Sequence, residues 1–372
     1  MIATPQTRPR RLAQFAIATV IATLAMTLAQ SSADAAVPRS FYGVVPQTPL
    51  NDNDFDRMGQ GRVGTLRVPL SWGLIDPSAA ADDYDWSGVD PVVEGAARNG
   101  VEVLPFFFGT PDWVAKDLDG YNCGADCATF APKSPAAIAA FGEFVRAAVQ
   151  RYGPAGSFWD ENPTVPKLPI TAWQIWNEQN SREFYAPKQN PKAYATLLET
   201  AAAEVRAVDG SAQVVLGGMA QLAGSNKATK ASKYLTKLYK VRRIKNLFEG
   251  VAIHPYGASV DKVAAQVELF REVMKEGGDR RAGLWVTELG WGSDKGGNPL
   301  NRGSKGQADR LKEAFKYFRK QRRKYRIETV NWFSWMDSAA SICDWCAASG
   351  LFKAGLVEKP SWRAFTKFTG GS

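Results

Sequence analysis

Residues 170–180, ITAWQIWNEQN, read as a buried β-strand that ends in a carboxylate. Apolar and aromatic residues run almost unbroken from Ile170 to Trp176, and Asn177 and Glu178 arrive together where the strand should stop. A short, nearly continuous apolar run of this kind fits a parallel strand covered on both faces. A glutamate at its end is costly to bury unless something pairs with it or uses it. Residues 283–291, GLWVTELGW, have the same character, with Glu288 near their end. The chain thus carries two strand-end glutamates far apart in sequence.

Working outward, strand-like and helix-like segments alternate from Phe41 onward. The strand candidates are 41–45, 65–72, 101–109, 170–178, 213–219, 250–256, 284–291 and 329–337. Helical patterns lie between them, near 53–58, 88–99, 135–152, 191–208, 229–242, 260–276 and 304–324, with 362–368 closing the chain. In 135–152, Ile138, Phe141, Val145 and Val149 recur at helical spacing. Strands alternating with helices predict a parallel sheet, and eight is the number that closes a (β/α)8 TIM barrel. No Pro/Gly-rich linker splits the chain and no internal repeat is visible. The α/β fold is therefore read as one barrel domain over 36–372.

The first 35 residues are read separately. Arg8, Arg10 and Arg11 precede an apolar, Ala/Thr-rich stretch from Leu12 to Ala29, and Ala33-Asp34-Ala35 supplies a small-x-small site. This is the pattern of a secretory signal peptide cleaved after Ala35. The Arg10-Arg11 pair leaves both Sec and twin-arginine export open, and an uncleaved anchor is the alternative. No second long apolar run follows, so the mature chain is expected off the membrane, extracellular or in the cell envelope, and monomeric. Of the 372 residues, 46 are Lys or Arg and 37 are Asp or Glu, a net charge of +9. Much of the excess sits in 316–326, KYFRKQRRKYR. It reads as a solvated helix face, with attraction to acidic glycans or an anionic wall as the functional alternative. No nucleic-acid motif is present.

The four cysteines form two close pairs, Cys123/Cys127 and Cys343/Cys346. In an exported chain these read as two local disulfides, with a four-thiolate zinc site as the rival. His254 is the only histidine, which excludes a multi-histidine metal site and any triad needing a second one. The Asp82-Asp83-Tyr84-Asp85 run lacks a calcium-loop signature and reads as a solvated turn. No metal and no cofactor is expected.

Active sites in such barrels sit at the C-terminal ends of the strands. The polar and aromatic residues there are Arg67 and Trp72 on strand two, Asn177 and Glu178 on strand four, and His254 and Tyr256 on strand six. Strand seven brings Glu288, and strand eight Trp335 and Asp337. Two carboxylates among aromatics suit glycoside hydrolysis, in which one must be protonated and the other ionised. Arg67 could hold one ionised while an apolar wall such as Trp176 raises the other. Trp72, Trp113, Trp291, Trp335 and Trp345 would offer flat surfaces to sugar faces.

These motifs resemble those of clan A glycoside hydrolases, most closely the family 39 and family 5 branches, over essentially the whole mature chain. The resemblance rests on IWNE at 175–178, HPY at 254–256, WVTELGW at 285–291, WFSW at 332–335 and GLFKAGLVEKPSW at 350–362. It departs where Gln179 follows Glu178 instead of proline. The resemblance implies a retaining (β/α)8-barrel glycosidase acting on oligo- or polysaccharides, mostly β-linked. Glu178 would be the acid/base, Glu288 the nucleophile and Asn177 the donor to the substrate 2-hydroxyl. Arg67 and Tyr256 would bracket the nucleophile, His254 would line the cleft, and Trp335 would form the floor under the reacting sugar, with Trp72 and Trp291 as further contacts. The alternatives are a non-catalytic carbohydrate-binding barrel of the cell envelope and a transglycosylase using the same residues.

Overall fold

Each of the eight apolar runs becomes a strand. They are β1 (Tyr42–Val45), β2 (Thr65–Ser71), β3 (Glu102–Phe108), β4 (Ala172–Asn177), β5 (Gln213–Ala220), β6 (Gly250–His254), β7 (Gly283–Leu289) and β8 (Ile327–Phe333). All pair in parallel in chain order, and β1 pairs with β8, which closes the barrel. At the seam Gly43 faces Asn331; a Cβ there would come within 2.0 Å of Asn331 Oδ1 and 2.5 Å of Thr65 O, so only glycine lets the strands meet.

A helix of the outer ring follows each strand: α1 (Asp52–Gln60), α2 (Asp90–Arg98), α3 (Pro135–Tyr152), α4 (Pro191–Val208), α5 (Ala231–Leu238), α6 (Val260–Glu276), α7 (Gly303–Tyr325) and α8 (Pro360–Thr369), with shorter helical turns in some of the loops. Their starts are chemically marked. The side chains of Asn51, Ser134, Asn190 and Ser259 accept hydrogen bonds from the first-turn amides of α1, α3, α4 and α6. The apolar stripe of α3 buries Phe141, Phe144, Val145 and Val149, and Ile138 lies half-buried at its edge. Phe107 of β3 stacks on Trp173 of β4 at 5.7 Å and packs edge-on to Phe141 and Phe144, joining sheet to helix ring. Burying each such ring contributes about 2 kcal/mol.

A computed structural model describes residues 1–3, 37–79, 83–221, 228–341 and 343–372. Pro38–Ser372 form one compact unit. Apart from its first three residues, the signal segment read at 1–35 lies outside the described residues, as does Asp82 of the acidic run. Among the described residues no helix is long and apolar enough to cross a membrane.

Candidate active site

The end of β4 is a backbone irregularity. Trp176 has φ 74° and Glu178 φ 42°, both in the left-handed region that costs a non-glycine residue about 1 kcal/mol or more. Between them Asn177 keeps its pairing with Gly218 of β5, and the Glu178 amide donates to Gly218 O at 2.8 Å. Trp176 packs against Phe141 of α3 and donates its indole proton to Phe184 O. Asn177 turns the other way and accepts from Arg67 Nη2 at 2.7 Å. The apolar wall expected from Trp176 is therefore not beside Glu178; its ring is spent on the helix layer, and the neighbour of Glu178 is His254.

Arg67 is the third residue of β2, wholly buried, and reaches its partners with the full length of its side chain. Its Nε donates to Gln174 Oε1 and its Nη1 to Glu288 Oε1, both at 2.7 Å. Tyr256 donates its hydroxyl to the other oxygen, Glu288 Oε2, at 2.7 Å. Burial alone would raise the Glu288 pKa. The charges of His254 and Arg67, with hydrogen bonds from Tyr256 and Arg67, outweigh it and hold the carboxyl below the ordinary glutamate value. Burial, then the Glu288 charge, pushes the Tyr256 hydroxyl well up, so it stays a neutral donor.

His254 is fully buried, with Nδ1 2.7 Å from Glu178 Oε1 and 3.5 Å from Glu288 Oε2. Its Nε2 lies 3.1 Å from Thr287 Oγ1, which also accepts from Gln174 Nε2 at 3.4 Å. Thr287 Oγ1 can either accept from or donate to His254 Nε2, and a proton on Nδ1 faces Glu178. Gly218 makes room for this ring: a Cβ there would stand 2.0 Å from His254 Nε2. One carboxylate oxygen each of Glu178 and Glu288 and a ring nitrogen of His254 lie within 4.8 Å of one another. The two glutamate side chains are 12% and 13% exposed, shielded yet reachable from outside.

Three tryptophans read as sugar contacts are core instead. Trp72 begins a single helical turn, Trp72–Ile75, that carries it off the strand; it is fully buried, stacks on Phe144, and donates to Asp76. Trp291 lies past the end of β7, fully buried against Trp332, with its indole proton on Gly257 O. Trp335 lies past the end of β8, fully buried between Phe352 and Trp362, donating to Asp54 of α1. None has a face left for a sugar. Asp337, also read at this strand end, forms an ion pair with buried Lys359 at 2.8 Å. The aromatic surface that does adjoin the carboxylates joins one of the expected tryptophans, Trp345, to a phenylalanine. Half-buried Phe333, the last residue of β8, faces Trp345 at 6.0 Å, and Trp345 packs on Tyr256 at 5.0 Å. Phe333 and the buried pair Gln174 and Thr287 escaped sequence reading because they sit inside runs that look wholly like core.

A family model, that of the glycosyl hydrolase catalytic core, matches residues 165–359. The chain belongs to this family. The matched span holds both glutamates, Asn177, His254 and Tyr256. The resemblance to clan A and the eight-stranded barrel expected from it are borne out at the level of family and fold. No curated protein matches the chain. Among solved structures it is similar to a family 39 glycoside hydrolase from Bacteroides cellulosilyticus WH2, with 17% identity and a TM-score of 0.63 over 90% of this chain. It spans 64% of that protein's length. A glucosidase from Croceicoccus marinus gives 14% identity and a TM-score of 0.66, covering 90% of this chain and 68% of its own. A monomeric beta-xylosidase from Caulobacter crescentus CB15 gives 20% and 0.62, with 89% and 68% covered.

In this glycosyl hydrolase core the cysteines pair locally. Cys123 bonds Cys127 and Cys343 bonds Cys346, with Cα atoms 5.0 and 5.2 Å apart, so no four-thiolate site forms. The second bridge lies in the loop that carries Trp345. Glu178, His254 and Glu288 together offer three metal-ligand atoms. Arg67 already compensates Glu288 at 2.7 Å, which sets a guanidinium charge against any cation there.

Proposed function

We propose that this protein is a secreted retaining glycosidase that cleaves O-glycosidic, mostly β-linked, bonds in oligo- or polysaccharides, with Glu288 as nucleophile and Glu178 as acid/base. The observation that carries the reading is the asymmetry between the two carboxylates. Both oxygens of Glu288 are engaged by donors, Arg67 and Tyr256, which favour its ionised form. Glu178 accepts from one imidazole at Oε1, which leaves Oε2 to carry the proton for the leaving group. One oxygen of Glu178 lies within 4.8 Å of one oxygen of Glu288, in keeping with the close spacing of about 5–5.5 Å between carboxyl groups used in double displacement.

In the first step Glu288 attacks the anomeric carbon as Glu178 protonates the departing oxygen, giving a glycosyl–enzyme. In the second, Glu178, now a carboxylate, takes a proton from water, and the water oxygen displaces Glu288 with net retention. Asn177 commits its Oδ1 to Arg67, so its amide nitrogen remains to donate to the sugar's 2-hydroxyl. Phe333, in place of the expected Trp335, and Trp345 supply the apolar surface beneath the reacting sugar. The similar proteins act on glucosides, xylosides, mannosides and galactosides by their descriptions, so a panel of β-aryl glycosides of these sugars is the test. Release by the wild type that disappears in Glu288→Gln supports the reading. Equal release by both proteins would overturn it.

A further inference from the structure

The basic run at 316–326 plays no part in the chemistry above. In a closed (β/α)8 barrel each helix runs antiparallel to its strands, so the C-terminal ends of the helices reach the face where the strands begin. That face is opposite the glutamates. Arg242 and Arg243 follow α5, Arg280 and Arg281 follow α6, and Arg323, Lys324 and Arg326 close α7. All are exposed, and among the described residues none forms an ion pair with a carboxylate. Hydrogen bonds from Lys245 Nζ to Gly278 O at 3.4 Å, and from Arg326 Nη1 to Arg280 O at 3.1 Å, draw the three helix ends together.

Between them lies a cavity of about 320 Å³, lined by Lys245, Arg281 and Arg326 with the half-buried indole of Trp285. Three carboxylates also line it, but two are occupied. Glu249 is held by Arg206 and the Val214 amide, and Asp279 by the Tyr239 hydroxyl and the Arg281 and Ala282 amides. Exposed Glu328 is the one left to oppose the cations.

Helix dipoles explain a cation in a last turn, but not arginines placed beyond it. Arg243 and Arg326 also adopt φ 64° and 48°, positions where glycine is the least strained residue. Arginine there costs stability, which points to a use for the side chain.

We propose that this face binds a linear polysaccharide bearing carboxylates, with one uronate seated in the cavity between Lys245, Arg281 and Arg326 and the sugar ring against Trp285. The guanidinium fork matches a carboxylate bidentately. The indole and the family's carbohydrate chemistry select a sugar polyanion over nucleic acid. The inference does not depend on which glutamate does what on the far side.

Affinity electrophoresis through gels containing polygalacturonate, neutral galactan or DNA tests it. The wild type is retarded by polygalacturonate, little by galactan, and less as salt rises. The double variant Arg243→Gly/Arg326→Gly should lose about tenfold in affinity with an unchanged or higher Tm, because glycine relieves the backbone while two charges leave. Arg281→Gln, which leaves the backbone alone, should weaken retention as well. Lys188→Gln/Lys192→Gln, removing equal charge elsewhere, should behave as wild type. Full retention by the glycine variant, equal loss in the lysine control, or binding to DNA as tight as to polygalacturonate would overturn the proposal.

Discussion

Arg67, on β2 and without any exposure to solvent, holds Glu288 of β7 through a single Nη1–Oε1 hydrogen bond of 2.7 Å. With Tyr256 on the other oxygen, it opposes the burial that would otherwise protonate this carboxyl. The folded-state pKa of Glu288 is therefore depressed. A depressed carboxyl contributes stability above its unfolded pKa and loses that contribution as pH falls through the folded value. The acid limb of kcat/KM should accordingly lie below the ordinary glutamate range. Tyr256→Phe removes one donor and should move that limb up by about one pH unit. A limb that stays in place would show that Tyr256 does not tune Glu288.

The two glutamates should fail differently. Glu288→Ala should remove turnover of every substrate. Glu178→Ala should slow poor leaving groups by about 10²–10⁴-fold and spare activated aryl glycosides, which need little protonation. Comparing leaving groups of graded acidity in the two variants checks this; a uniform loss in Glu178→Ala would count against its acid role.

Gly218→Ala inserts a methyl 2.0 Å from His254 Nε2. The imidazole must move off Thr287 and Glu178, so kcat should fall while the barrel stays folded, at a cost of about 1–3 kcal/mol measured by denaturant unfolding. Retained kcat would show that the position of His254 is not needed.

Lys359 is almost fully buried against Asp337 and also donates to Ala348 O at 2.9 Å, which ties the loop after β8 to the start of α8. Asp337→Asn strands the ammonium and should destabilise by about 3–5 kcal/mol, read from urea unfolding. Asp337→Leu/Lys359→Met should recover much of it.

The architecture was legible because parallel strands are covered on both faces, and so write themselves as apolar runs. The strand-end polar residues were legible for the same reason: Asn177, Glu178 and Glu288 interrupt those runs. Trp72, Trp291 and Trp335 were misread because each lies one or two residues past its strand. There the period-two alternation has ended, and the turn decides which way a ring points. The sequence holds no local signal for that direction. His254 was read as lining the cleft, whereas its place between the carboxylates is a through-space fact made possible by Gly218 on a different strand. Lys359 was passed over because its partner, Asp337, is found only once the chain has closed around it.

The most direct measurement of the central claim is peptide mapping by mass spectrometry after incubation with a 2-deoxy-2-fluoro glycoside carrying an activated leaving group, using the sugar that the wild type hydrolyses. A glycosyl adduct on the peptide containing Glu288, absent from Glu288→Gln, is the predicted result. Turnover with release of the inverted anomer and no adduct on that peptide would contradict the double-displacement account.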